Sequence, residues 1–114
     1  MIAVIFEVEP GEGRETIYLD TAAELRPLLD EIEGFISVER FKSLSDPDKV
    51  LSLSFFETEE AVARWRNTAE HRRAQRMGRG GVFRGYRLRI ANVLRDYGLS
   101  ERDQCPSDSR AAHE

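Results

Sequence analysis

The chain has 114 residues, of which 40% are hydrophobic and 33% charged, with a net charge of −4 and one cysteine. These values predict one soluble globular domain with a modest core, and they exclude a disordered or fibrous protein. No apolar run reaches the roughly 20 residues that cross a bilayer, and the N-terminus lacks the features of a secretory signal. We therefore expect a cytoplasmic protein without a membrane partner.

The charge is distributed unevenly along the chain. Residues 1–63 hold 15 acidic and 5 basic residues, whereas residues 64–89 hold nine arginines and a single acid, Glu70. Such asymmetry is compatible with a solvated face, with ion pairing to an acidic surface, or with attraction of an anionic ligand. Nucleic-acid binding is disfavoured because the chain as a whole is acidic.

The first strand and helix are bounded by clear signals. Residues 2–9 are rich in β-branched and aromatic side chains and end at Pro10, which predicts a strand. Leucine and isoleucine at helical spacing predict a helix over residues 14–32, ended by Gly34. Pro27 lies inside this pattern, and we expect it to break or kink the helix because proline cannot donate the helical hydrogen bond.

The remaining elements complete a βαββαβ order. Residues 35–43 and 49–56 predict an antiparallel hairpin, because turn-forming residues separate them. Thr58 predicts the start of a second helix that ends near Gly78, and residues 82–95 predict a fourth strand. The fold class is therefore α+β: a ferredoxin-like sandwich with helices on one face of an antiparallel sheet.

The last residues differ in character from the rest. Residues 98–114 show no apolar periodicity, so we assign the domain to residues 1–97 and expect a disordered C-terminal tail. Cys105 lies in this tail, which predicts an exposed thiol without a catalytic role.

Both faces of the predicted sheet carry apolar side chains. Strand 1 places Val4 and Phe6 on one face and Ile5 on the other, and the strands of the hairpin divide in the same way. Two helices cover only one face, and large exposed apolar patches are rare on monomers. We therefore expect a homodimer, packed sheet to sheet as a barrel around a central cavity. The second face also carries polar groups that would line this cavity: Glu7, Arg40, Ser52 and Ser54.

Trp65 and His71 are the main candidates for a site. On one straight helix they lie about 120° apart and would not touch. Residues 67–70, however, resemble a capping signature, and a helix break there would turn His71 inward. Trp65 is then core packing or a cavity wall, and His71 is a structural histidine or a group that handles a proton. The sequence lacks a phosphate-binding loop, a Ser-His-Asp array and a clustered metal-ligand motif.

Several stretches together resemble the antibiotic biosynthesis monooxygenase (ABM) superfamily: IAVIFEVEPG, GFISVERFKS, LSLSFFETEEAVARWRN, EHRRAQRMGRGGVF and YRLRIANVLRDYG. The resemblance covers residues 1–97 and implies a dimeric α+β barrel of ferredoxin-like protomers. Its members include oxygenases that convert phenols to quinones without metal or flavin, and enzymes that degrade haem.

The resemblance also implies roles for individual residues. Trp65 matches a tryptophan on helix 2 of the ring oxygenases and would form a wall beside the substrate. Arg87 would stabilise an anion, and His71 or Tyr86 would handle a proton. The expected substrate contacts come from Asn67, Arg40 and Phe56.

Haem use is less expected from the same resemblance. The haem-degrading branch has an asparagine on strand 1, where this chain has Phe6 and Glu7. It also has a histidine about ten residues after the tryptophan, where this chain has Gln75 and Arg76.

The function that follows is monooxygenation of a small phenol or hydroquinone, with dioxygen as co-substrate and neither a cofactor nor a metal. A non-catalytic dimeric module that binds a small ligand or acts in a stress response is the alternative. No sequence feature separates these two.

Overall fold

The computed structural model describes residues 1–113 and contains one four-stranded antiparallel sheet. The strands are β1 (Ile2–Pro10), β2 (Phe35–Lys42), β3 (Val50–Phe56) and β4 (Phe83–Asn92), in the spatial order β2-β3-β1-β4. The helices are α1 (Glu15–Asp30), α2 (Glu59–Arg66), α3 (Ala69–Met77) and α4 (Ser107–His113), and an irregular turn, Gly78–Val82, leads into β4. The predicted βαββαβ fold is confirmed. No helix among residues 1–113 is both long and apolar enough to cross a membrane.

Helix α1 runs without a break through Pro27, so the predicted break is wrong. Proline leaves the carbonyl group four residues earlier, that of Ala23, without its helical donor. Ala23 and Pro27 are both exposed, so this carbonyl group lies on the side of the helix that water can solvate. The loss of one hydrogen bond is therefore tolerated.

The predicted second helix is divided in two at Asn67 and Thr68. Thr58 caps α2 by accepting a hydrogen bond from the Ala61 amide, as the sequence predicts. Thr68 caps α3 by accepting from the His71 amide at 3.2 Å. The predicted break is confirmed, but Thr68 and not Asn67 is the new cap. The break between α2 and α3 changes the relative directions in which the Trp65 and His71 side chains project.

One face of the sheet packs against the helices. Leu29 of α1 and Val62 of α2 form a cluster with Phe56, with Ile2 and Val4 packed against it. A second cluster joins Tyr18 of α1 to strand residues, among them Val8 and Val50. The helices therefore cover the face of β1 that carries its even-numbered residues.

The other face remains apolar without a helix over it. The register pairs Ile5 with Leu53 and Ala3 with Phe55, and none of these four residues belongs to the two helix-side clusters. The prediction of apolar side chains on both faces is confirmed. Of the four polar residues predicted for this face, Glu7 lies on it. The other three were assigned to the wrong face: Arg40 and Ser52 pair with each other in the row of Phe6, on the helix side. Ser54 shares that side with Val4 and Val38.

The C-terminal segment differs from the predicted structureless tail. It contains α4, and Cys105 is only 7% exposed, so the predicted exposed thiol is wrong. The Arg102 guanidinium covers the sulfur, with Nη2 2.9 Å from Sγ, and also lies over the Tyr97 ring. These contacts of Arg102 are local and partly polar, so they do not require a periodic pattern of apolar residues in the sequence.

Candidate functional site

A cavity of about 490 Å³ lies between the helices and the sheet of a single chain. This volume falls within the range of small-molecule sites. The sequence predicts a cavity at the centre of a dimer barrel; this cavity is a different one, because it lies on the helix side of the sheet within one chain. It opens along the edge strand β4, where Tyr86, Leu88 and Ile90 line it and are still 44–50% exposed.

Aromatic side chains form one end of the cavity. The Phe6 ring lies 5.7 Å from the rings of both Phe83 and Tyr86, and the Tyr18 ring lies 5.6 Å from that of Phe83. Edge-on and tilted contacts of this kind are favourable between aromatic rings. This end therefore has a rigid apolar wall, with the hydroxyl groups of Tyr18 and Tyr86 as its polar points.

Trp65 and His71 meet at the cavity wall. Their ring centroids are 4.9 Å apart with a tilt of 40°, and both side chains line the cavity. The break at Thr68 permits this contact, which one straight helix would not allow. Trp65 also packs against the cluster of Leu29, Phe56 and Val62, so it is at once core and cavity wall.

The ring of His71 is held neutral. Desolvation by burial lowers its pKa below the ordinary value of 6.5, and the nearby Arg72 charge lowers it further, while a hydrogen bond to the Arg66 backbone partly opposes them. The Gln75 side-chain amide lies 3.0 Å from Nδ1. Because the amide nitrogen can only donate, Nδ1 accepts and the ring proton resides on Nε2.

The burial of His71 predicts a loss of stability in acid. Its pKa is lower in the folded than in the unfolded chain, so the unfolded chain binds the proton first as the pH falls below about 6.5. Above that pH both states are neutral and His71 contributes no pH dependence. We expect the free energy of unfolding, measured in urea, to fall between pH 6.5 and 5. The fall should be smaller in a His71→Phe variant, and an equal fall in the two proteins would contradict the assignment.

Charge in the cavity wall has one sign. Five arginines line it, and no aspartate or glutamate does: Arg26, Arg40, Arg66, Arg72 and Arg79. Four of them are exposed or have partners at the rim; Arg26 pairs with Asp30, for example, and Arg79 donates to the Tyr86 hydroxyl at 3.2 Å. Arg40 is part-buried, and no carboxylate among residues 1–113 forms a salt bridge with it.

Five of the seven predicted site residues line this cavity: Trp65, His71, Tyr86, Arg40 and Phe56. Phe56 is only 1% exposed and serves mainly as core. The other two, Arg87 and Asn67, do not line it. Arg87 pairs with Glu7 in the register and therefore faces the opposite side of the sheet. Asn67 lies at the end of α2. Its side-chain amide donates a hydrogen bond to the Ala63 carbonyl and accepts one from the Arg72 guanidinium.

Sequence reasoning missed Tyr18 and Gln75 as site candidates. Tyr18 comes from α1 and Gln75 from α3, so only the fold brings them to the same cavity. A signal was present for Tyr18, which is a polar aromatic residue on the apolar side of α1. Within residues 1–113, no three His, Cys, Asp or Glu side chains cluster as a metal site would require.

The chain matches a known protein family. The family model for antibiotic biosynthesis monooxygenases matches residues 1–77, and the chain belongs to that family. The match ends before β4, although β4 is part of the same sheet.

Two curated relatives match this chain over 93 residues, which is 82% of its length. The jasmonate monooxygenase ABM of Pyricularia oryzae is 50% identical, and the match covers 43% of that protein, so the chain spans less than half of this relative. The uncharacterized protein YqjZ of Bacillus subtilis is 30% identical, with 79% of its length covered.

Solved structures share the fold at low identity. Rv0793 from Mycobacterium tuberculosis superposes with a TM-score of 0.75 at 11% identity, covering 85% of this chain and 98% of that one. A candidate antibiotic biosynthesis monooxygenase from Nitrosomonas europaea gives a TM-score of 0.71 at 13% identity, covering 82% and 99%. At such identities the similarity establishes the fold alone.

Proposed function

We propose that this protein is a monooxygenase that oxidises a small, largely apolar molecule in the cavity between its helices and its sheet. The observation that carries the proposal is the cavity itself, which joins an aromatic and aliphatic wall to a few convergent polar groups. Family membership supports the reaction class. A binding module without chemistry would use the same cavity, so catalysis has to be tested directly.

The first candidate substrate is an electron-rich phenol or hydroquinone. Oxidation of a phenol to a quinone by dioxygen places one oxygen atom on the ring and releases the other as water. The substrate supplies all the electrons, so no metal, flavin or haem is required, and we propose that none is used. The flat rings of Trp65 and His71 suit a planar substrate.

His71 is our candidate for the group that accepts the phenol proton. Among the cavity-lining residues there is no aspartate, glutamate, lysine or cysteine. A neutral imidazole is then the one lining side chain able to act as a base. The Gln75 amide must rotate away from Nδ1 before this proton transfer, which is a change of one side-chain rotamer.

A second candidate substrate follows from the relative at 50% identity, which is named a jasmonate monooxygenase. Jasmonate is the anion of an aliphatic cyclopentanone acid, and the lining arginines suit an anion. It has no electron-rich ring, so insertion of one oxygen atom into a C–H bond requires two further electrons and two protons from a reductant.

Oxygen uptake tests the proposal and separates the two substrates. Purified protein is incubated with a chelator and with phenols, hydroquinones or jasmonate, each with and without NADPH. Uptake above the protein-free rate with phenols alone supports the first substrate class, and uptake with jasmonate only when NADPH is present supports the second. No uptake in any arm would leave the binding module as the function.

We also propose that two copies pack through the apolar face of the sheet that no helix covers. Ile5 and Leu53 lie at its centre, and around them Glu7 and Arg87 give both signs of charge. A second copy of the same face is therefore complementary to it, as a two-fold interface requires.

Light scattering after gel filtration should give twice the 13.1 kDa mass of the chain at micromolar concentration. A Leu53→Lys variant should elute at the mass of one chain, because an unpaired charge cannot be buried at the centre of the interface. A wild-type protein of single-chain mass would contradict the proposed dimer.

A further inference from the structure

The cavity has a polar end that the oxidation chemistry leaves unused. Arg40 projects from β2 onto the helix side of the sheet, where its Nε donates to the Tyr18 hydroxyl at 3.2 Å. The two Nη groups of Arg40 form no hydrogen bond with residues 1–113. The Tyr18 hydroxyl accepts this bond, and its own proton has no acceptor in that part of the chain.

Ser52 lies beside Arg40 on the neighbouring strand and faces the same cavity. The residue is 8% exposed, and its hydroxyl forms no hydrogen bond within residues 1–113. Every fully buried side-chain nitrogen or oxygen atom in residues 1–113 has a hydrogen-bond partner. Because the Ser52 oxygen has none, it must be accessible to solvent. The hydroxyl therefore faces the open space of the cavity.

Nearby acids do not neutralise Arg40. Glu15 of α1 forms a salt bridge of 3.0 Å with Lys42, which lies two residues after Arg40 on β2. Glu39 alternates with Arg40 along the strand and points to the opposite face. A part-buried guanidinium without a carboxylate partner costs free energy unless an anion or water satisfies it.

We propose that Arg40, Tyr18 and Ser52 form a subsite for the carboxylate group of the ligand. The free edge of the Arg40 guanidinium offers the two parallel N–H groups that bind a carboxylate in bidentate fashion, and the two hydroxyl groups add donors. The ligand is then a carboxylic acid with an apolar body, which extends from Arg40 along the aromatic wall. This inference rests on the proposed function for the use of the same cavity, but it concerns binding and not oxidation.

Binding of matched probes tests the subsite without turnover. The chain has one tryptophan, Trp65, so its fluorescence reports on the cavity without background from another tryptophan. We would titrate 4-phenylbutanoate and its methyl ester, which share a body and differ in the charged group. The acid is expected to bind about tenfold or more tightly than the ester, because hydrogen bonds to charged groups are the strong ones.

Variants assign that preference to Arg40. Arg40→Gln should bring the acid-to-ester ratio close to one, whereas Arg76→Gln should preserve it, because Arg76 is exposed on α3 and does not line the cavity. Arg40→Lys retains the charge without the planar fork and should give an intermediate ratio. If Arg40→Gln fails to fold, the ratios for Arg40→Lys and Ser52→Ala decide the question.

Equal binding of acid and ester by the wild type, or an unchanged ratio in Arg40→Lys and Ser52→Ala, would overturn the subsite. Because no turnover is measured, such a result would leave the oxygenase proposal intact. Conversely, a clear preference for the acid in a protein that consumes no oxygen would support the subsite and contradict the monooxygenase.

Discussion

Replacement of His71 by phenylalanine is expected to lower kcat by about 10²-fold or more for a phenolic substrate, with little change in stability at pH 7.5. Removal of a general base typically costs this much. Phenylalanine keeps a ring against Trp65, which now lies 4.9 Å from the imidazole, so the wall of the cavity is retained. Steady-state oxygen uptake at saturating substrate measures the effect.

Two further variants distinguish proton transfer from packing. Gln75→Leu removes the donor that occupies Nδ1 of His71, and kcat should stay close to that of the wild type. Added imidazole should partly restore the activity of a His71→Ala variant, because a small base can enter the space left by the side chain. If His71→Phe is as active as the wild type, the histidine only supports Trp65, and its role as a base is wrong.

Replacement of Gly34 by alanine is expected to cost about 2–5 kcal/mol of unfolding free energy. Gly34 joins α1 to β2 with a φ of +91°, a conformation that costs an L-residue about 1–2 kcal/mol. A methyl group there would also lie 2.8 Å from Cβ of Ala61, a fully buried residue of α2, and overpacking of this kind costs about 1–3 kcal/mol. Urea unfolding at one fixed protein concentration measures the loss.

Gly13→Ala is the matched control for this variant. Gly13 has a φ of +71°, and a methyl group added there meets no atom within 4 Å. It should therefore cost only the backbone strain, about 1–2 kcal/mol. If the two variants lose the same stability, Ala61 yields without cost and the packing of α2 on the α1–β2 connection is looser than described.

The fold was largely predictable because its signals are local. The β-branched and aromatic residues of β1, the turn between β2 and β3, and the Thr58 cap each specify an element without reference to the rest of the chain. Pro27 was misleading because a helix can continue through a proline when water solvates the carbonyl group that loses its donor. The contacts of Arg102 with Tyr97 and Cys105 form no periodic pattern and could not be predicted.

The site was less predictable because it depends on which face each strand turns to the helices. Trp65 and His71 were found from residue type and from the capping signature between them. Arg40 was selected and lines the cavity but was placed on the wrong face, and Arg87 was selected although its neighbours Tyr86 and Leu88 are the ones that line the cavity. A shift of one residue reverses the face of a strand side chain, and the sequence gives no such precision at the ends of strands.

Transfer of oxygen inside the helix–sheet cavity is tested most directly with ¹⁸O₂ and a pair of adjacent variants. Ala22 lines the cavity, and Ala23, the next residue of α1, is exposed to solvent. We predict that the wild type and Ala23→Phe place one ¹⁸O atom in each product molecule, whereas Ala22→Phe, with its ring filling the cavity, forms no product above the protein-free rate. Equal labelling of the product by Ala22→Phe and the wild type would contradict the account.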